Sequence, residues 1–189
     1  MILIGMGANL PTVHGGPMAT LEAAMTLMPA LGISIVRRSA FYLTPPLTPY
    51  AQPDFVNNVV MVETALPAAS LLDALHRIED RFGRHRTARW AARTLDLDLL
   101  DYQGQIVHAS GPRGVEAGPG VLPLALPHPG IAGRAFVLVP LAEVAPEWRD
   151  PVSGETAGRL LQRLVAAQGP AAMAGIRRIG LKTRAKPPH

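Results

Sequence analysis

The 189-residue chain contains no cysteine, which excludes disulfides, thiolate metal sites and cysteine nucleophiles. Lysine is absent until Lys182. Charged residues make up only 17% of the chain and hydrophobic ones 48%, a balance that argues against global disorder. No apolar run is long enough to span a bilayer. The opening stretch, Met1 to Gly7, has no basic segment of the kind a secretory signal carries, so a cytoplasmic location is expected. A Gly-x-x-x-x-Gly-Lys-Ser/Thr phosphate loop is missing, and Gly5-Met6-Gly7 lacks the third glycine of a dinucleotide fingerprint. A chain of this length buries roughly 70% of its unfolded surface and needs no covalent staples.

What charge there is lies unevenly. The net charge of +4 suggests a nucleic-acid partner only until it is mapped. Residues 171–189 carry five basic groups and no acid, whereas residues 1–170 carry thirteen basic and fourteen acidic groups. Basicity therefore belongs to the C-terminal end. Within the body, Arg77, Arg81, Arg84, Arg86, Arg89 and Arg93 fall in a single stretch. Arginine is suited to planar, bidentate recognition of phosphate.

Periodicity predicts the elements. Residues 1–5 read as a buried strand, and Met18, Leu21, Met25 and Met28 form one face of a helix starting at Pro17. Ile33–Tyr42 reads as a second strand and Asn57–Thr64 as a third, with a proline-rich loop between them from Thr44 to Pro53. Leu71, Leu72, Leu75, Ile78 and Phe82 make the stripe of a second helix that Gly83 ends. A basic loop over 84–93 leads to a fourth strand, Thr94–Tyr102. Residues 110–120 read as a flexible insertion, and helices are expected over 134–144 and 155–167. The pattern implies an α+β fold, helices covering a mainly antiparallel sheet. One domain is expected over 1–168, followed by a basic, flexible C-terminal tail over 169–189.

Three clusters carry chemistry. In Leu95-Asp96-Leu97-Asp98-Leu99, strand alternation sends the leucines to the core and both carboxylates to the other face. Their Cα atoms would lie about 7 Å apart, two rises of roughly 3.3 Å. Such a pair can converge on hard cations such as Mg²⁺, although a solvated strand face has the same pattern. Arg89 and Arg93 just upstream could pair with these carboxylates or complete a phosphate site. The second cluster, Thr44-Pro45-Pro46-Leu47 with Gln52, Phe55, Asn57 and Asn58, offers a stiff wall, an aromatic face and the two asparagine carboxamides. It suits a flat heteroaromatic, while Phe55 as a core residue and Asn57 as a cap stay open. The third is Pro127-His128-Pro129 with Arg134 and Phe136, where a stiffly held imidazole could meet phosphate or simply occupy a surface loop.

In this order, the clusters resemble the 6-hydroxymethyl-7,8-dihydropterin pyrophosphokinase family of folate biosynthesis. The matching stretches are Gly5 to Leu10, Phe41 to Leu47, Gln52 to Asn57, Ile78-Glu79 with Gly83-Arg84, Arg89-Trp90, Arg93 to Asp98, and Leu126 to Leu141. The resemblance covers about residues 2–150. It implies a ferredoxin-like, three-layer α+β sandwich and transfer of the β,γ-diphosphate of ATP to the pterin hydroxymethyl group, with AMP released. It also implies two Mg²⁺ ions held by Asp96 and Asp98, and a catalytic set of Arg89, Arg93, Asp96 and Asp98. By the same resemblance Phe55 and Phe136 stack the pterin and Asn57 reads its edge. Thr44, Pro45 and Leu47 line the slot, and Trp90 closes over it. ATP contacts are implied for Gln52, Glu79, Arg84 and Trp90, and for Arg93, His128 and Arg134. The implied partners are these two small molecules, with no nucleic acid and no membrane, and the chain is expected to be a monomer. Two departures stand out: Ala91-Ala92 where the family often has Gly-Pro, and Leu122 to Ala125 where an Arg and a Thr are expected. An RNA-binding ferredoxin-like module and a pterin binder without turnover are the competing readings.

Overall fold

The structure is a computed structural model that describes residues 1–48, 51–83, 92–108 and 124–180. Strand β1 (Ile2–Ala8) is buried along its length apart from Gly5, as expected of an apolar strand inside a sheet. Helix α1 (Pro17–Leu27) begins on a proline, whose missing N–H is no loss in the first turn, and buries Leu21, Ala24 and Met25. A 3₁₀ turn over Met28–Leu31 ends at Gly32, where a φ of 74° favours glycine. Then come β2 (Ile33–Arg38), β3 (Phe41–Thr44), β4 (Phe55–Thr64), α2 (Ala68–Arg81) and β5 (Asp96–Tyr102). Helix α3 (Ala135–Val144), helix α4 (Ala157–Gln168) and the short strand β6 (Arg177–Ile179) complete the described chain. The Thr156 hydroxyl caps α4 by accepting the Arg159 N–H. Helix α3 runs through Pro140, which leaves the Phe136 carbonyl without its usual donor one turn on.

Six strands form one sheet in the order β5-β1-β4-β3-β6, with β2 also paired to β4. Every described pairing is antiparallel. Alternation gives the sheet two apolar faces. On one, Ile2, Ile4, Met6, Val60, Val62, Leu97 and Leu99 pack with Leu21 and Met25 of α1 and Leu71, Leu75 and Ile78 of α2. On the other, Leu3, Val59 and Leu100 pack with Leu138 and Leu141 of α3 and Leu160 and Leu164 of α4. The result is the expected three-layer α+β sandwich, helices on both sides of an antiparallel sheet.

Two expectations are corrected. The single strand over Ile33–Tyr42 is two strands. A register shift between Ile35 and Arg37 inserts Val36 as an extra, exposed residue. Ser39 then takes over the pairing with Val59, its N–H donating to the carbonyl and its Oγ accepting the amide. The chain after Gly169 is also not a loose tail as far as Ile179. Pro170–Met173 is a 3₁₀ turn, and Arg177–Ile179 pairs with β3 through backbone bonds, for which a Gly/Ala/basic composition is no obstacle. The insertion expected over 110–120, most of the basic loop and residues 181–189 lie outside the described residues.

Candidate active site

The sheet leaves a gap in its α3–α4 face because, beyond Leu3, β1 presents only Gly5 and Gly7 there. In register, Gly5 lies between Val59 of β4 and Asp98 of β5, and Gly7 lies between Asn57 and Asp96. A Cβ on Gly7 would sit 2.6 Å from Asn57 Oδ1, and one on Gly5 would sit 3.3 Å from a Leu100 methyl. Bare backbone is thus the floor of an open cleft, about 840 Å³ of empty space with the solvent at its mouth included. Carboxylates rise on one side of that floor and a carboxamide on the other.

On the acidic side, Asp96 and Asp98 point into the cavity from one face of β5, while Leu97 and Leu99 enter the opposite core. Arg93 pairs with Asp96 through Nη1 and Oδ2. The Asp98 side chain is 35% exposed, and its Oδ1 stands 4.0 Å from His128 Nε2. His128 is held on both sides: its N–H donates to the Leu100 carbonyl at 2.8 Å, and its Nδ1 accepts the Gly130 N–H at 3.0 Å. Burial, and then the positive charge of Arg134, push its pKa below 6.5, with Asp96 pulling the other way. The imidazole is therefore neutral near pH 7 and offers Nε2–H toward Asp98.

The opposite side is a slot. Asn57 Nδ2 donates to Thr44 Oγ1 at 2.7 Å, a buried bond that fixes which way the carboxamide faces. Pro45, Leu47 and Phe55 form one wall, and Phe136 in the first turn of α3 forms another. Arg134 lies over the Phe136 ring, 5.9 Å from its centre, and also against Gly130, where a Cβ would meet Cζ at 2.6 Å.

A residue to which sequence reasoning gave no role ties the two sides together. Asn9 is 2% exposed and uses its whole carboxamide. Its Oδ1 accepts the Arg93 N–H at 2.7 Å, and its Nδ2 donates to Gln52 Oε1 and the Pro53 carbonyl, both at 3.1 Å. The Arg93 carbonyl accepts the N–H groups of Asn9 and Leu10 in return. Asn9 thereby pins the loop before β4 to the turn that leads into Asp96.

The expected site residues Thr44, Pro45, Leu47, Gln52, Phe55, Asn57, Arg93, Asp96, Asp98, Arg134 and Phe136 all line this one cavity. His128 stands beside it, next to Asp98. Glu79, expected near the nucleotide, is instead fully buried under β5, where its Oε1 accepts the Leu97 N–H at 2.7 Å. Its place lies on the apolar stripe of α2, four residues after Leu75, so it supports the acidic strand from beneath. Arg84, Arg89 and Trp90 lie outside the described residues. The strand expected over residues 1–5 runs on to Ala8, so Gly7 as well as Gly5 lies inside it, and glycines within a strand mark a close approach of backbone or ligand.

A family model described as 7,8-dihydro-6-hydroxymethylpterin-pyrophosphokinase matches residues 3–146. The chain is 38% identical over 163 residues to a 2-amino-4-hydroxy-6-hydroxymethyldihydropteridine pyrophosphokinase of Synechocystis, covering 86% of this chain and 75% of the relative. It is 41% identical over 143 residues to the protein of that name in Haemophilus influenzae, covering 75% and 79% respectively. Among solved structures, a Plasmodium falciparum HPPK-DHPS with pterin and p-hydroxybenzoate matches with a TM-score of 0.72 at 15% identity. That match covers 95% of this chain and 47% of the other, so the chain spans a little under half the length of the Plasmodium protein.

Proposed function

The chain belongs to the 7,8-dihydro-6-hydroxymethylpterin-pyrophosphokinase family, and from that premise we propose how its cavity divides the work of the family's reaction. The enzyme uses ATP and transfers a diphosphate to the hydroxymethyl group of 6-hydroxymethyl-7,8-dihydropterin, a step of folate biosynthesis. The hydroxymethyl oxygen attacks the β-phosphorus and loses its proton, the bond from that phosphorus to the α,β-bridging oxygen breaks, and AMP leaves with that oxygen.

We assign the pterin to the slot. Phe55 and Phe136 give its rings apolar faces, and the Asn57 carboxamide, oriented by Thr44, meets the polar ring edge. Pro45 and Leu47 close the side wall. The triphosphate is assigned to the acidic side, where Arg93, Arg134 and neutral His128 supply donors. Gln52, held by Asn9, lines the same cavity, and Arg84, Arg89 and Trp90 are proposed to reach the nucleotide and cover the site.

Asp96 and Asp98 fit Mg²⁺. They are hard oxygen donors on one strand face, and among the described residues no third carboxylate or imidazole closes a cage around them. That matches an ion that takes a few protein carboxylates and completes its shell with phosphate and water. Two such ions, when bound, neutralise phosphate charge and make the β-phosphorus a better electrophile. Arg93 holds the Asp96 carboxylate in place, and β5 fixes the spacing of the pair. Asp98 is the nearest candidate to take the hydroxymethyl proton, and positioning with charge neutralisation supplies most of the acceleration.

The observation that carries this reading is the row Asp96–Gly7–Asn57, which sets a metal ligand and a ring-reading amide on either side of bare backbone. Asp98→Asn tests it. AMP formation is expected to fall by several orders of magnitude while pterin still binds with nucleotide present, and near-normal turnover would overturn the metal assignment. The reading also takes the chain as a monomeric, cytoplasmic single domain acting on small molecules. No helix among the described residues is long and apolar enough to cross a membrane. Helices cover both sheet faces, which removes the open aromatic sheet an RNA-binding module of this class uses.

A further inference from the structure

We propose that the segment Pro170–Ile179, beyond the residues matched by the family model, is a positioning element of the pterin slot, a role that rests on the slot assignment above. Strand β3 has only four residues, and it carries Thr44 at its end. One edge pairs with β4, placing Tyr42 opposite Asn57 and Thr44 opposite Phe55. The other edge is covered by β6, with Phe41, Tyr42 and Leu43 opposite Ile179, Arg178 and Arg177. Without β6, β3 would be a short edge strand held on one side, the kind of element that opens locally.

The segment also touches the slot wall. Gly175 has a φ of 75°, and a Cβ there would sit 3.0 Å from Pro45 Cδ and 3.1 Å from Cγ. The backbone of the segment thus packs close against the ring of Pro45. Ala172, Met173 and Ile176 anchor the segment on the α3–α4 core. Glu143 of α3 joins all three parts. Its Oε1 pairs with Arg178 Nη2 at 3.0 Å, and its Oε2 accepts the Tyr42 hydroxyl at 2.7 Å and the Ala40 N–H at 3.1 Å. Glu143 lies two turns from Phe136 on the same helix, so this clasp fixes one wall of the slot relative to the other.

The test compares Gly175→Ala with Gly154→Ala in the full chain. Gly154 has a φ of 72° with no atom within 4 Å of its missing Cβ, so its substitution adds the same kind of backbone strain without touching Pro45. With Mg²⁺ and a non-hydrolysable ATP analogue present, Gly175→Ala is expected to raise the pterin Kd about tenfold, because small misplacements of a binding wall are costly. The analogue's own Kd is expected to stay within about twofold for both variants, and the pterin Kd of Gly154→Ala likewise. In a Pro45→Ala background the Gly175→Ala effect should shrink, since the contact is gone. An unchanged pterin Kd in Gly175→Ala, or an equal loss for nucleotide and pterin, would overturn the proposal. Should Gly175→Ala not fold, Arg178→Ala is expected to raise the pterin KM with kcat retained, and an unchanged KM would be just as damaging. A wild-type protein that binds nucleotide but no pterin would overturn the slot assignment itself.

Discussion

Gly7→Ala is the substitution that asks most directly whether the cavity floor must be bare. The new Cβ would stand 2.6 Å from Asn57 Oδ1, against 3.4 Å or more for ordinary contact. Asn57 must then retreat by the better part of an ångström. It has little freedom to do so, being 8% exposed and bonded through Nδ2 to the hydroxyl of Thr44, a residue that is itself 2% exposed. Breaking that bond leaves buried polar groups unpaired, which costs about 1–3 kcal/mol. If the loss falls on ring recognition, pterin affinity drops roughly five- to hundredfold, at about 1.4 kcal/mol per factor of ten. Gly5→Ala should be milder, because its Cβ meets only the branched end of the Leu100 side chain, at 3.3 to 3.5 Å. Titration calorimetry with pterin in the presence of Mg²⁺ and an ATP analogue, and then with the analogue alone, reads both affinities. Unchanged pterin affinity in Gly7→Ala, or an equal fall in nucleotide affinity, would refute the reasoning.

Three more outcomes follow from the contacts described. Asn9→Ala removes the acceptor of the Arg93 amide and the donors to Gln52 and Pro53, so urea unfolding should show a loss of about 2 kcal/mol. A loss under about 0.5 kcal/mol would mean that Asn9 is no hub. Tyr42 has its pKa raised from 10.0 to about 12 by burial and by the Glu143 carboxylate that accepts its hydroxyl. Its folded pKa exceeds the unfolded one, so its contribution is complete below pH 10.0 and is lost as pH climbs toward about 12. Phenolate absorbance should show one tyrosine titrating late, and earlier in Glu143→Gln. His128 has a folded pKa below 6.5, so the unfolded chain binds the proton first and stability through this group falls as pH drops past 6.5. Denaturation midpoints of the ligand-free protein should fall on acidification more steeply than in His128→Gln, and equal slopes would contradict the buried, neutral imidazole.

The site was most legible where chemistry is written in short-range periodicity. Asp96 and Asp98 between leucines could only share a face if the segment was a strand, and β5 is one. The stripe of α2 held a signal that the ATP expectation for Glu79 passed over: a carboxylate at a core position four residues after Leu75 must have a specific buried partner, and that partner is the Leu97 N–H. Asn9 was harder to read because its partners lie 43 to 84 residues away, and no local pattern encodes such bonds. The break between β2 and β3 escaped because it falls at Ser39–Ala40, where the Ser39 hydroxyl stands in for a backbone partner of Val59, and the shift at Val36 inside β2 escaped because propensity does not record pairing. Strand β6 escaped for a similar reason: three residues of backbone suffice to cover an edge, and the clasp by Glu143 depends on tertiary placement.

The most direct test is product analysis after incubating the full chain with ATP, Mg²⁺ and 6-hydroxymethyl-7,8-dihydropterin, with nucleotides and pterins separated by chromatography. AMP and pterin diphosphate are expected in equal amounts, dependent on the pterin and lost in Asp98→Asn. ADP with a pterin monophosphate, or AMP released at the same rate without pterin, would contradict diphosphate transfer at this site.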